Sequence, residues 1–268
     1  GMVDSFHVID RIHLVISAAE SHPDFVCLSI DRSFFYTGFS DDFGPMSLGT
    51  VYEFFCVLEK LMIKHETDSI AIQTLPNFRS VTNAVFLVGS YMIMKFSFGI
   101  DVVMDKVKNV MAMTVPYRDV SPGIQNFDLS VQDCLNGLIK ARSLGWVDFG
   151  PDGFDLEEYS HYDSPLNADL HEIVPGKLVA MRGPKEIPNG DQWEDVPQDD
   201  GTFGHREFSP EHFVDILQQF NVQAVVRLND PQYSKQVFID NGIAVAELCF
   251  EDCTSPPVDV AAKFLAIA

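Results

Sequence analysis

Residues 213–230 read FVDILQQFNVQAVVRLND, and residues 242–257 read GIAVAELCFEDCTSPP. The first begins with apolar residues at Phe213, Val214, Ile216 and Leu217, the spacing of an amphipathic helix, and runs on into a β-branched strand. The second is an apolar strand that ends in an acidic, proline-rich loop. A helix between strands of this kind predicts an α/β fold with a parallel sheet. The chain then closes on the apolar run Phe264–Ala268.

A chain of 268 residues has room for two modest domains or one large one, and a hydrophobic content of 46% supports a packed core. No run of ~18 apolar residues exists, so no membrane span is expected. The N-terminal GMVDSFHVIDR lacks the basic-then-apolar order of a signal peptide, and Gly1 before Met2 reads as a residue left by tag removal. The cysteines (Cys27, Cys56, Cys134, Cys249 and Cys253) are five in number and scattered. That pattern argues against a secreted disulfide framework and for an intracellular protein, cytoplasmic or nuclear. Cys249 and Cys253 have no companion pair to complete a metal site, so neither metal nor cofactor is expected.

Net charge is −21. Residues 1–150 hold 11 basic and 17 acidic side chains, and residues 151–268 hold 7 and 22. The excess repels nucleic acid, whose phosphates need Lys and Arg, and attracts basic peptides.

Outward from the opening stretch, VIDRIHLVISAA, FVCLSID and FFYTGF near the N-terminus read as strands. Ser47 caps a helix with Val51, Phe54, Phe55, Leu58, Leu61 and Met62 on one face. SIAIQT (69–74) is a strand, Leu75 to Thr82 a polar turn, and Asn83 to Met94 a helix apolar all round, hence buried. Further helices are expected over 99–111 and 130–144, with an irregular loop around Pro116–Asp119 between them. FGPDGFDLEEYSHY (149–162) reads as an acidic linker with a short helix over 155–161. LVAMRGP belongs to a strand pair, and Lys185 to Glu207 reads as a flexible, acidic surface excursion. Pro210 then opens the helix that leads into the stretch quoted first.

Several of these pieces, in order, resemble the mitotic-exit dual-specificity protein phosphatases, the cell-division-cycle-fourteen type. They are Asp42–Pro45 (DFGP), Asn83–Tyr91 (NAVFLVGSY), Pro116–Asp119 (PYRD), Asp133–Gly137 (DCLNG), Phe154–Tyr159 (FDLEEY), Ile173–Lys177 (IVPGK) and Ala224–Asn229 (AVVRLN). The resemblance spans nearly the whole chain. It implies two tandem dual-specificity-phosphatase-like domains: a non-catalytic one over 1–148, an acidic linker helix over 149–168, and the first part of a catalytic domain over 169–268. It further implies a cysteine-dependent phosphatase acting on phosphoserine, phosphothreonine or phosphotyrosine in proteins that carry basic residues near the phosphosite.

In such enzymes a Cys and an Arg on one loop hold the phosphate, and an Asp on another loop serves as general acid. Aligned through Asn83–Ala84, the Cys and Arg places of the first domain hold Leu75 and Val81, so that domain is expected to be non-catalytic. In the second domain the Cys-x-x-Gly-x-x-Arg loop does not appear, so that domain reads as incomplete at its C-terminus and the 268 residues as inactive. The resemblance places the acid at Asp252, with Glu251 the runner-up and a helix-capping acid the plain alternative. Asp155 and Glu158 on the linker helix, with Tyr117 and Asp119 on their loop, are the expected substrate-binding residues. The rival reading is a pseudophosphatase scaffold that binds phosphoproteins and turns nothing over. Arg227, inside the strand pattern VVRLN, is expected to be buried and paired.

Overall fold

The computed structural model describes residues 4–19, 21–38, 40–120, 123–125, 127–252 and 254–268. The chain divides into two units, Gly1–Leu156 and Glu157–Ala268.

The first unit is built on a four-stranded sheet of β1 (Asp4–Ile9), β2 (Ile12–Ile16), β3 (Val26–Ser29) and β4 (Ile70–Thr74), in the order β1-β2-β4-β3. β1 and β2 form an antiparallel hairpin, while β2, β4 and β3 run parallel. Every residue of central β4 is buried, as expected of a parallel strand covered on both faces. A short α1 (Ile30–Ser33) follows β3, and the crossover to β4 runs through α2 (Leu48–Lys64). Ser47 accepts a hydrogen bond from the Thr50 N–H and so caps α2. The strand expected at FFYTGF is not formed by its described residues: Phe34 to Gly38 are irregular chain after α1, and Phe39 lies outside the described residues.

The helix α3 (Phe78–Phe96) fills the middle of this unit, with every residue from Val81 to Met94 buried. The apolar surround predicted that burial. The helix starts earlier than the expected Asn83: α3 begins at Phe78, because Asn77 caps it by accepting the Ser80 N–H, so the turn shrinks to Leu75–Asn77. Around α3 pack α2, α4 (Ile100–Val107) and α5 (Val131–Ser143). Ser130 and Asp133 close a reciprocal cap on α5, each accepting from the other's backbone N–H. Each fully buried Leu or Phe in this core contributes roughly 1.5–3 kcal/mol against exposure.

The second unit opens with α6 (Leu156–Asp163), whose first residue closes the first unit. It contains two hairpins, β5 (Leu170–Val174) with β6 (Leu178–Met181) and β7 (Trp193–Pro197) with β8 (Phe203–Phe208). The β7/β8 hairpin corrects the flexible excursion expected over 185–207. Its strands are too polar to show an apolar alternation. They are held by two Arg206–Asp195 hydrogen bonds at 2.7 and 3.0 Å, with the guanidinium 5.1 Å from the Trp193 ring centroid. α7 (Pro210–Gln219) precedes β9 (Ala224–Arg227), α8 (Gln236–Asp240) precedes β10 (Ala244–Glu247), and β9 and β10 pair in parallel. A core of Leu170, Phe208, Phe213, Leu217, Phe238 and neighbours joins these parts. α9 (Val258–Ile267) has no buried residue. No helix among the described residues is long and apolar enough to cross a membrane.

Candidate functional site

Parallel strands direct their carboxyl ends, and the loops that follow, toward the edge where α/β proteins place ligands. In the first unit that edge is the end of β2, β4 and β3. Leu75, the residue after β4, is exposed and carries no nucleophile, and its N–H donates to Asp31 Oδ2 at 2.9 Å. The Ser80 N–H is taken by Asn77. An oxyanion at this turn would meet the Asp31 carboxylate where it needs a donor. Val81, which the resemblance sets at the place of a phosphate-chelating Arg, is fully buried among core residues.

Beside this turn lies a cavity of about 360 Å³, whose walls include Asp31, Tyr36, Asp42, Phe43, Arg79 and Asn83. Arg79 donates to Asp41 at 2.9 Å, and its guanidinium sits 5.4 Å from the Phe43 ring centroid. Asp42 is buried and accepts from the Tyr36 hydroxyl and the Ser40 N–H, both at 2.6 Å. Burial and the Asp42 carboxylate push the Tyr36 phenol up to about 12.

Tyr117 lies in the core of this unit at 3% exposure, 4.9 Å from the Phe43 ring and 6.5 Å from that of Phe86. The expectation that it lines a substrate groove is corrected: its backbone bridges to Leu129 and its ring fills the core beneath the loop. Burial pushes its phenol far above the ordinary range. Asp119, two residues on, is exposed. Asp155 is also exposed but stands one residue ahead of α6 rather than on it, and exposed Glu158 lies in the helix's first turn.

Cys134 is followed by a Gly at the phosphate-loop spacing, but it sits in α5, and Lys140 occupies the place an Arg would take. Burial first, and then the Asp133 charge, push its thiol up to about 11, the reverse of what a nucleophile needs.

In the second unit the equivalent edge is the end of β9 and β10. Arg227 closes β9 at 4% exposure. It pairs with Glu247 at 3.6 Å, and its guanidinium carbon lies 4.1 Å from the Tyr233 ring centroid. Backbone pairing continues past the strands, from Leu248 N–H to Arg227 O and from Phe250 N–H to Leu228 O. Asp252 follows in a turn, exposed, with exposed Glu251 before it. Thr254 Oγ1 donates to the Glu251 carbonyl at 2.5 Å and tightens that turn. α9 begins only at Val258, and its first-turn acid is Asp259, so Asp252 is not the capping acid of that helix. Cys249 donates to Asp230 at 3.3 Å, which raises its thiol, and Cys253 lies outside the described residues. No cluster of three or more His, Cys, Asp and Glu able to hold a metal ion exists among the described residues.

A family model described as dual specificity protein phosphatase, N-terminal half, matches residues 7–141. The chain is similar to the dual specificity protein phosphatase CDC14C of Homo sapiens, with 30% identity over 264 residues covering 97% of this chain and 56% of that one. It is 32% identical over 245 residues to the human dual specificity protein phosphatase CDC14A, covering 89% of this chain and 39% of that one. It is 28% identical over 258 residues to the tyrosine-protein phosphatase CDC14 of Saccharomyces cerevisiae, covering 93% and 44%. The chain spans about half the length, or less, of these curated relatives.

Proposed function

This chain belongs to the dual specificity protein phosphatase family, and from that premise we propose that it contributes two tandem phosphatase-like domains to a cysteine-dependent protein phosphatase. In this reading residues 1–148 form a non-catalytic domain, 149–168 a linker, and 169–268 part of the catalytic domain. The phosphate loop is not among these 268 residues, so the proposal concerns a protein that carries this chain together with such a loop. Its substrates are phosphoproteins, and the reaction needs no metal.

Asp252 is the general acid. A cysteine thiolate attacks phosphorus, the bond to the serine, threonine or tyrosine oxygen breaks, and that oxygen takes the Asp252 proton. The resulting Asp252 carboxylate then takes a proton from water as the water's oxygen attacks the phosphocysteine, releasing inorganic phosphate and the thiolate. The observation that carries this reading is the exposed place of Asp252, in the loop leaving β10 at the carboxyl end of a parallel strand pair. Asp155, Glu158 and Asp119, all exposed and acidic, are proposed to favour substrates with basic residues near the phosphosite.

The test is Asp252→Asn in a protein that joins this chain to a Cys-x-x-Gly-x-x-Arg loop. Turnover of a phosphoserine peptide, whose alkoxide leaves poorly, is expected to fall ~10²–10⁴-fold. An activated aryl phosphate departs without protonation and is expected to lose far less. The basic limb of the pH–rate profile flattens, because it reports the acid removed. Equal losses on both substrates with the basic limb intact would transfer the role to Glu251. Absence of any turnover in the parent protein would favour the scaffold.

A further inference from the structure

Arg227 is a buried cation that the chemistry above does not use. It ends β9 directly beside Glu247, which ends the parallel strand β10, and each strand leads into a loop, 228–235 after β9 and 248–252 after β10. A guanidinium at 4% exposure is costly to hold unless it is paired. The pairing here is by charge and ring face. Nε lies 3.6 Å from Glu247 Oε2 and the guanidinium carbon 4.1 Å from the Tyr233 ring centroid, while Nε and Nη2 find no hydrogen-bond partner among the described residues. Tyr233 is itself buried and belongs to the 228–235 loop. The two loops are joined further along. Leu248 N–H donates to Arg227 O at 2.9 Å and Phe250 N–H to Leu228 O at 3.2 Å. Cys249 donates to Asp230 at 3.3 Å, and Lys235 stands 3.5 Å from Glu247. The 228–235 loop is tied in turn to Glu186, whose N–H donates to the Gln232 carbonyl and whose carboxylate accepts the Ser234 N–H. Asp252 stands two residues past the Phe250 anchor.

We propose that Arg227 is a positioning residue for the loop that carries Asp252, an inference that rests on the reading of Asp252 as general acid. Arg227 acts through Tyr233 and Glu247. One guanidinium holds the ring of the first loop and the carboxylate at the root of the second. The Leu228 carbonyl and the Asp230 carboxylate then stay where residues 249 and 250 bond to them, and the chain arrives at Asp252 from a fixed point. A general acid must stand within hydrogen-bond reach of the leaving oxygen, and a misplacement of about 1 Å can cost ~10²-fold in rate. A buried ion pair adds little to stability against an apolar replacement, so what this one supplies is geometry.

The test compares Arg227→Met and Asp252→Asn with the parent, in a protein that joins this chain to a Cys-x-x-Gly-x-x-Arg loop. Each is assayed on a phosphoserine peptide, which needs the acid, and on an activated aryl phosphate, which does not. Methionine keeps an apolar stem in place, and Lys235 remains beside Glu247, so no buried charge is stranded. Arg227→Met is expected to lower kcat on the peptide at least ~10-fold and on the aryl phosphate far less. Both substrates are read on one sample, so any unfolded fraction cancels from their ratio. Tyr233→Leu, which removes the ring and keeps the ion pair, should move the ratio in the same direction. Equal losses on both substrates for Arg227→Met, with Asp252→Asn still separating them, would overturn the positioning role and leave the acid in place. Equal losses for Asp252→Asn would remove the acid reading and this role with it. Amide exchange in the unaltered 268-residue chain needs no variant: the Leu248 and Phe250 N–H groups should be protected as well as those of β10. A Phe250 amide that exchanges like open chain would overturn the proposal.

Discussion

Replacing Gly89 by Ala isolates how tightly the first unit is packed around its central helix. Gly89 lies inside α3, where Ala is favoured over Gly by about 1 kcal/mol from propensity alone. A Cβ built at Gly89 would stand 2.8 and 3.0 Å from the two Cδ atoms of Leu135 and 3.4 Å from Val103 Cγ1. Leu135 and Val103 are both fully buried, so the Leu135 methyls have no open space to swing into. Overpacking of this kind costs about 1–3 kcal/mol and outweighs the propensity gain. The internal control is Gly137→Ala in α5, an exposed helical glycine whose added Cβ would meet nothing within 4 Å. That variant should gain up to about 1 kcal/mol. The two substitutions are chemically identical, so their difference in urea-unfolding free energy measures packing and should be about 1–3 kcal/mol. If Gly89→Ala is as stabilising as Gly137→Ala, the α3–α5 contact is loose and the reasoning fails.

Further outcomes can be checked directly. Ser130→Ala should cost about 0.5–2 kcal/mol in urea unfolding by removing the α5 cap. The Asp133 carboxyl is held below the usual range by the Ser130 hydroxyl and N–H, so its contribution is present above the unfolded carboxylate pKa and lost as pH falls through the folded one. Ser130→Ala should therefore also flatten the acid limb of stability against pH. Tyr36 titrates near 12 in the folded chain, so its hydroxyl contributes fully below an unfolded value of about 10 and progressively less as pH rises toward 12. Tyr36→Phe should delete an absorbance step at 295 nm near pH 12 and leave the earlier tyrosine steps in place. In a protein that carries this chain together with a phosphate loop, Asp155 and Glu158 replaced by Ala should weaken basic phosphopeptides more than neutral ones, by ~0.2–1 kcal/mol per charge and less at high salt; equal losses would leave the pair with no part in selecting substrates. The verified 268-residue chain should not turn over para-nitrophenyl phosphate, and activity lost on mutating one of its cysteines would contradict that.

Much of the architecture was legible in residue order, because its signals are local. SIAIQT was legible as a strand, the largely apolar run from Asn83 as a buried helix, Ser47 as a helix cap and 130–144 as a helix. Asn77, three residues before Ser80, caps α3 in the same way and moves its start ahead of the apolar run. The β7/β8 hairpin was hidden because its strands are exposed and charged, and their stability comes from cross-strand Arg206–Asp195 and Arg206–Trp193 pairs that sequence spacing does not reveal. FFYTGF has strand composition, yet after α1 its Phe34, Phe35 and Tyr36 became cavity walls.

The amino-acid sequence by itself determined that the chain is acidic, α/β in its alternation and similar in order to dual-specificity phosphatases, a resemblance that sets Leu75 and Val81 at the Cys and Arg places of a phosphate loop. Those are properties of residue identity and short-range spacing. Only the tertiary structure decided that Tyr117 turns into the core while Asp119 stays outside, that Asp31 occupies the Leu75 amide, and that Asn83 ends buried beside a cavity with its acceptor unmet. Burial and hydrogen-bond satisfaction depend on which segments close over a side chain, and those segments are up to dozens of residues away. A pattern confined to one helix or loop cannot carry that information.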